Sequence, residues 1–92
     1  MKLIGREKLA HLRMKGEPAE KWIQSWVAEV STAHWKSPID VKSQFPNVHQ
    51  AEDGHILFPV NDFNIVIQVL MAFPQGVALI TALKNSEETH GH

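Results

Sequence analysis

The sequence is 92 residues long, carries nine basic and ten acidic side chains for a formal charge of −1, and contains no cysteine. That length makes one domain with a modest core. The missing thiols exclude a disulfide framework and thiol chemistry, and fit a reducing, cytoplasmic setting. The near-neutral balance counts against a globally basic nucleic-acid binder. Charge is unevenly spread, however: every Lys and Arg lies between Lys2 and Lys42 except Lys84, so the N-terminal half is the electropositive one. A local field of that kind can hold phosphate on a neutral protein. It nominates Arg6, Lys8, Arg13, Lys36 and Lys42 as RNA contacts, against the plainer reading of a solvated face. Met1–Lys8 turns polar after two apolar residues, unlike a secretory signal.

Arg6–Lys15 reads as a first helix with Leu9, Leu12 and Met14 toward a core, ended by Gly16. Glu17-Pro18 opens a second helix, with proline near the first turn. Its apolar set is Trp22, Ile23, Trp26, Val27 and Val30, one wide stripe at the helical period. Two tryptophans can form a base-stacking platform. Sharing their stripe with Ile23, Val27 and Val30 reads instead as core.

Ser37 predicts an N-cap for a third, short helix, with Pro38 at its first position and Asp40 placing negative charge in its first turn. Phe45-Pro46 stops it, because a residue before proline is pushed out of the α region. Trp35, Ile39, Val41 and Phe45 give this turn an apolar side that plugs a core. Asn47–Gly54 reads as a polar loop, and Asp53-Gly54 as a turn into a strand, His55–Val60. Asn61-Asp62 is a further turn signal.

Ile65–Leu83 carries no formal charge over a length near that of a membrane span. Pro74-Gln75-Gly76 interrupts it, and the arms Ile65–Val69 and Val77–Thr81 are rich in β-branched residues, so it reads as a buried hairpin. A two-residue loop pairs Phe73 with Gly76, Gln68 with Thr81 and Val66 with Leu83. One face then holds Ile65, Ile67, Val69, Met71, Ala78, Ile80 and Ala82 as the natural core. The other holds Val66, Gln68, Leu70, Ala72, Val77, Leu79, Thr81 and Leu83. A half-solvated sheet alternates apolar with polar; this second face does not. Val66, Leu70, Val77, Leu79 and Leu83 are therefore expected to bind a partner. Residues 1–84 form the domain, and 85–92 a polar, mobile tail.

No Gly-rich phosphate loop, H-E-x-x-H or G-x-S-x-G motif is present. Asp40, Glu52, Asp53 and Asp62 are explained by caps and turns. His90-Gly91-His92 offers two ligands where a stable zinc site needs three or four, so neither metal nor other cofactor is assigned.

The block Trp35-Lys36-Ser37-Pro38-Ile39-Asp40-Val41-Lys42-Ser43-Gln44-Phe45-Pro46, after two amphipathic helices and before an antiparallel meander, resembles the HigB-type toxins of the RelE superfamily. The likeness runs over nearly the whole chain, with Met1–Ile4 as a first strand and His55–Phe58 within a later one. It implies an α+β, RelE-like fold: a short N-terminal strand, two packed helices, a small third helix, and an antiparallel sheet of three to four strands. It also implies a ribosome-dependent mRNA endonuclease held by a cognate helix-turn-helix antitoxin. Family members typically carry an arginine at the position of Val66, a basic residue near Thr81, and a T-H-K-E-Y-like motif where this chain reads Asn85-Ser86-Glu87-Glu88-Thr89. Only Glu88 is kept. With Lys84 and His90 it forms the catalytic set the likeness leaves available. Cleavage needs a base, an acid and cations for the developing phosphorane charge. Two expectations follow: an mRNA interferase, or a catalytically degenerate homologue acting as a protein-binding module for antitoxin, ribosome or a second copy. A membrane-associated hairpin is a third, weaker one.

Overall fold

In the computed structural model, residues 1–60 and 63–85 are described. Strand β1 (Lys2–Ile4) leads through Gly5 into a 3-10 turn, Arg6–Leu9, that continues as the short helix α1 (Ala10–Arg13). Helix α2 (Glu17–Thr32) and helix α3 (Pro38–Gln44) follow. The chain then forms β2 (His49–Gln50), a 3-10 turn at Glu52–Gly54, β3 (His55–Val60), β4 (Ile65–Ala72) and β5 (Val77–Asn85). The five strands make one sheet in the order β1-β5-β4-β3-β2. β1 runs parallel to β5 and every other pair is antiparallel.

The uncharged stretch is thus a β-hairpin, and among the described residues no helix is long and apolar enough to cross a membrane. The sheet is larger than three to four strands because the polar loop 47–54 contributes β2 and because β1 joins the far edge. β2 has both residues exposed, so no hydrophobic alternation announces it.

The helices cover one face. Leu9, Leu12, Ile23, Trp26 and Val30 meet Phe58, Ile67, Val69 and Ile80, all at most 1% exposed. Phe58 is the meeting point. Its ring lies edge-on to Trp26 at 5.4 Å and to Phe45 at 5.3 Å, and stacks with Trp35 at 6.4 Å. Such pairs add to the burial of large apolar area. Trp22 stacks on Trp26 and packs, half-buried, against the edge of the core. Both tryptophans of the stripe therefore belong to the core side of the helix.

Three local expectations are corrected. Met14 is 80% exposed, because α1 ends at Arg13 and the chain turns out before Gly16. Ile39 is 75% exposed, on the outer side of α3, while Val41 is fully buried. Ser37 precedes α3 with extended backbone but makes no side-chain cap. Asp40 instead reaches back, accepting from the Lys36 backbone N–H at 2.8 Å. Gly5 is required at its position: its φ is +92°, and a Cβ there would lie 2.7 Å from the Ile80 carbonyl oxygen.

Phe58→Ala should cost about 3–5 kcal/mol of unfolding free energy. Urea unfolding followed by tryptophan fluorescence should show it as a fall in midpoint with a nearly unchanged slope.

Candidate functional site

The hairpin register decides where the candidate residues stand. From Ala72↔Val77 to Val69↔Ile80 the pairing matches that expected from the sequence. Between Val69 and Gln68 it slips by one residue, so Gln68 pairs with Ala82, Ile67 with Leu83 and Val66 with Lys84. Thr81 is the extra residue of this bulge. Its hydroxyl accepts from Gln68 Nε2 at 3.0 Å and donates to the Gln68 carbonyl at 3.2 Å. The slip corrects the face assignment of Leu83, which packs against the helix-side core next to Ile67. Because faces alternate, Lys84 takes the place across from Val66 that Leu83 was expected to hold.

The face away from the helices carries Val66, Leu70, Val77 and Leu79 in neighbouring strands, flanked by Ile4 from β1 and by Leu57 and Pro59 from β3. Val66 is 4% exposed, Ile4 is 41% exposed, and the other five are half-buried. No strand of the sheet contains a carboxylate. Its titratable groups are Lys2, His49, His55 and Lys84. His55 lies opposite Leu70, with Nδ1 3.0 Å from the Glu52 carbonyl oxygen, and so is held by the adjacent turn.

Lys84 also lines a groove of about 460 Å³ between α1 and the end of the hairpin. Its other walls include His11, Met14, Lys15, Ile65 and Leu83. His11, Lys15 and Lys84 are all exposed. Sequence reasoning missed His11 and Lys15. No periodic signal announced the pair, because α1 ends at Arg13 and Lys15 lies in the turn that follows it.

The nominated RNA contacts occupy four different elements. Arg6 lies in the first 3-10 turn and donates to Ser31 Oγ at 3.4 Å; Lys8 shares that turn and is exposed. Arg13, at the end of α1, is ion-paired with Glu20 of α2. Lys36 lies in the link between α2 and α3. Lys42 of α3 donates to the Val48 carbonyl at 3.2 Å. Glu88 and His90 lie outside the described residues. The arrangement around Lys84 can attract phosphate, since three basic-type side chains converge there and no carboxylate lines the groove among the described residues. It contains no arranged acid–base pair among the described residues.

A family model described as the HigB toxin, the RelE-like toxic component of a toxin–antitoxin system, matches residues 19–88. No curated protein matches the sequence. The match covers α2 from Ala19 onward, α3 and the whole antiparallel part of the sheet, including both arms of the bulged hairpin.

Thr81→Val keeps the side-chain shape but removes both hydrogen bonds to Gln68. It should lower stability by about 1 kcal/mol. It should also accelerate amide exchange around Gln68, as measured by hydrogen–deuterium exchange.

Proposed function

The chain belongs to the HigB toxin family, the RelE-like toxic component of a toxin–antitoxin system, and we propose that it is a cytoplasmic toxin homologue with feeble mRNA-cleaving power whose retained activity is protein binding. The observation that carries this reading is the make-up of the sheet face away from the helices. Val66 and Thr81 are neutral where the family resemblance calls for cations. Lys84 is the one Lys or Arg in β4 and β5, and Leu70, Val77 and Leu79 form an apolar field between the strand ends.

A scissile phosphate placed there would find few donors to match its growing negative charge. A single missing preorganised donor costs about 10²–10³ in rate. The next residues, Glu87 and Glu88, add negative charge to the sequence just after Lys84. By contrast, an apolar face with a cationic end suits a protein partner. A family member of this kind has an antitoxin, and an acidic, apolar antitoxin segment is complementary to this face. RNA contact is then supplementary, through His11, Lys15 and Lys84 in the groove beside α1, with Arg6, Lys8, Arg13, Lys36 and Lys42 contributing only a diffuse field.

Induced expression with growth and mRNA-decay readouts tests the catalytic half. Wild type should cause little cleavage, and Lys84→Ala should change almost nothing. Val66→Arg with Thr81→Arg, Ser86→His and Glu87→Lys should raise cleavage, because the restored Arg at position 66 would stand directly across from Lys84. Strong codon-positioned cleavage by wild type, lost on changing Lys84 or His90, overturns the degenerate reading and places the chemistry in the tail.

Leu70→Arg and Leu79→Arg test the binding half. A standard interface removes about 800 Å² per partner, and a charge buried at its centre is not tolerated. Each variant should keep the wild-type circular dichroism spectrum and lose co-purification with the antitoxin encoded beside it. Unchanged co-purification by both assigns the antitoxin to another surface.

A further inference from the structure

A second site is the cleft between α2 and the connection from α3 to β2. It has a volume of about 300 Å³ and is partly enclosed. Its inner wall is aromatic, from Trp22, Trp26, Phe45 and Phe58. Two features mark it as more than a packing gap. The first is Trp26, which is 1% exposed and whose indole N–H has no acceptor among the described residues. Indole N–H groups are donors only, and a buried donor left unmatched is costly. The second is a relay at the mouth. Trp35 Nε1 donates to Gln44 Oε1 at 3.1 Å, and Gln44 Nε2 donates to Glu29 Oε1 at 3.4 Å. This relay fixes Gln44 and steers the Glu29 carboxylate over the cleft. Among the described residues, no lysine, arginine or histidine lines it.

We propose that this cleft binds an arginine side chain of a peptide segment in a protein partner, with Glu29 as the counter-ion and Trp22 as the stacking surface. The chemistry selects the ligand. A carboxylate with no neighbouring cation repels phosphate, which excludes a nucleotide or an RNA strand. A planar guanidinium stacks on an indole face and bonds a carboxylate through two N–H groups, which an ammonium does not. Trp22 and Trp26 lie at 12° to one another, so the outer ring presents a flat, half-exposed face. The cleft touches the sheet face only at Pro59 and shares no lining residue with the Lys84 groove, and its occupancy does not depend on the function proposed above.

The test uses 15N spectra of the whole chain, in which three indole N–H signals are assigned by Trp→Phe variants. The probes are acetyl-Ala-Arg-Ala-amide and its citrulline, leucine and glutamate counterparts, titrated to about 10 mM because one anchor binds at millimolar strength. The arginine peptide should move the Trp22 and Trp26 signals saturably. Citrulline should bind more weakly by about fivefold, as should the arginine peptide on Glu29→Gln, the upper end for an exposed ion pair. Glu29 is exposed, so this variant keeps the fold, and a wild-type pattern of the remaining amide signals confirms it. The proposal fails if the arginine peptide leaves the Trp22 signal unmoved, if the glutamate peptide moves it equally, or if Glu29→Gln binds as wild type does.

Discussion

The clasp of three aromatic rings on Phe58 is the constraint from which the rest of the structure follows. Phe58 stands in the middle of β3, on the helix side of the sheet. Trp26 reaches it from α2, Trp35 from the α2–α3 link and Phe45 from the end of α3. One side chain therefore fixes the height and angle of two helices over the sheet. Large rings cannot slide past one another in small steps, so the clasp has one good arrangement. That arrangement also leaves the cleft beside α2, because Trp26 turns its ring to Phe58 and its N–H is left without a protein acceptor. Gly5 makes the second tight point, where the chain leaving β1 passes against Ile80 without room for a Cβ.

Much of this was legible because it follows from periodicity. Ile23, Trp26 and Val30 repeat at the helical interval and are buried, and Phe45-Pro46 ends α3 as a pre-proline residue should. Pro74-Gln75-Gly76 marks the hairpin turn, with Gly76 at φ +69° where left-handed backbone is needed. What escaped has no periodic signal. β2 is two exposed residues, defined by its partner β3 rather than by its own composition. Met14 and Ile39 are apolar yet point outward, since a short helix ends or turns before its next residue can face in. The bulge depends on Thr81 satisfying Gln68 twice, a tertiary bargain between two polar residues in an otherwise apolar hairpin.

That bulge has the largest effect on the candidate site. A regular ladder would have put Leu83 across from Val66 and left Lys84 pointing to the helix side. The slip exchanges them: the leucine completes the core near Ile67 and the lysine stands across from Val66. A polar pair in the middle of the hairpin thus sets the position of a charge several residues further on. The family's features at this place are side-chain identities, which the sequence shows directly as Val66 and Thr81. The register that aligns them with Lys84 is a property of the folded ladder.

The two faces of the molecule carry opposite chemistry. The strands hold no carboxylate, and three basic-type residues meet at one end of the hairpin. The aromatic cleft across the helices is lined by one carboxylate and no cation. Fields from such sites fall off within about 8–10 Å at physiological salt, whereas the fold spans 34 × 32 × 21 Å. The two sites share no lining residue, although Pro59 of the cleft stands two strands from Lys84 in the sheet register. A net charge of −1 conceals this division. A substitution in the Lys84 groove therefore leaves every residue that lines the cleft in place.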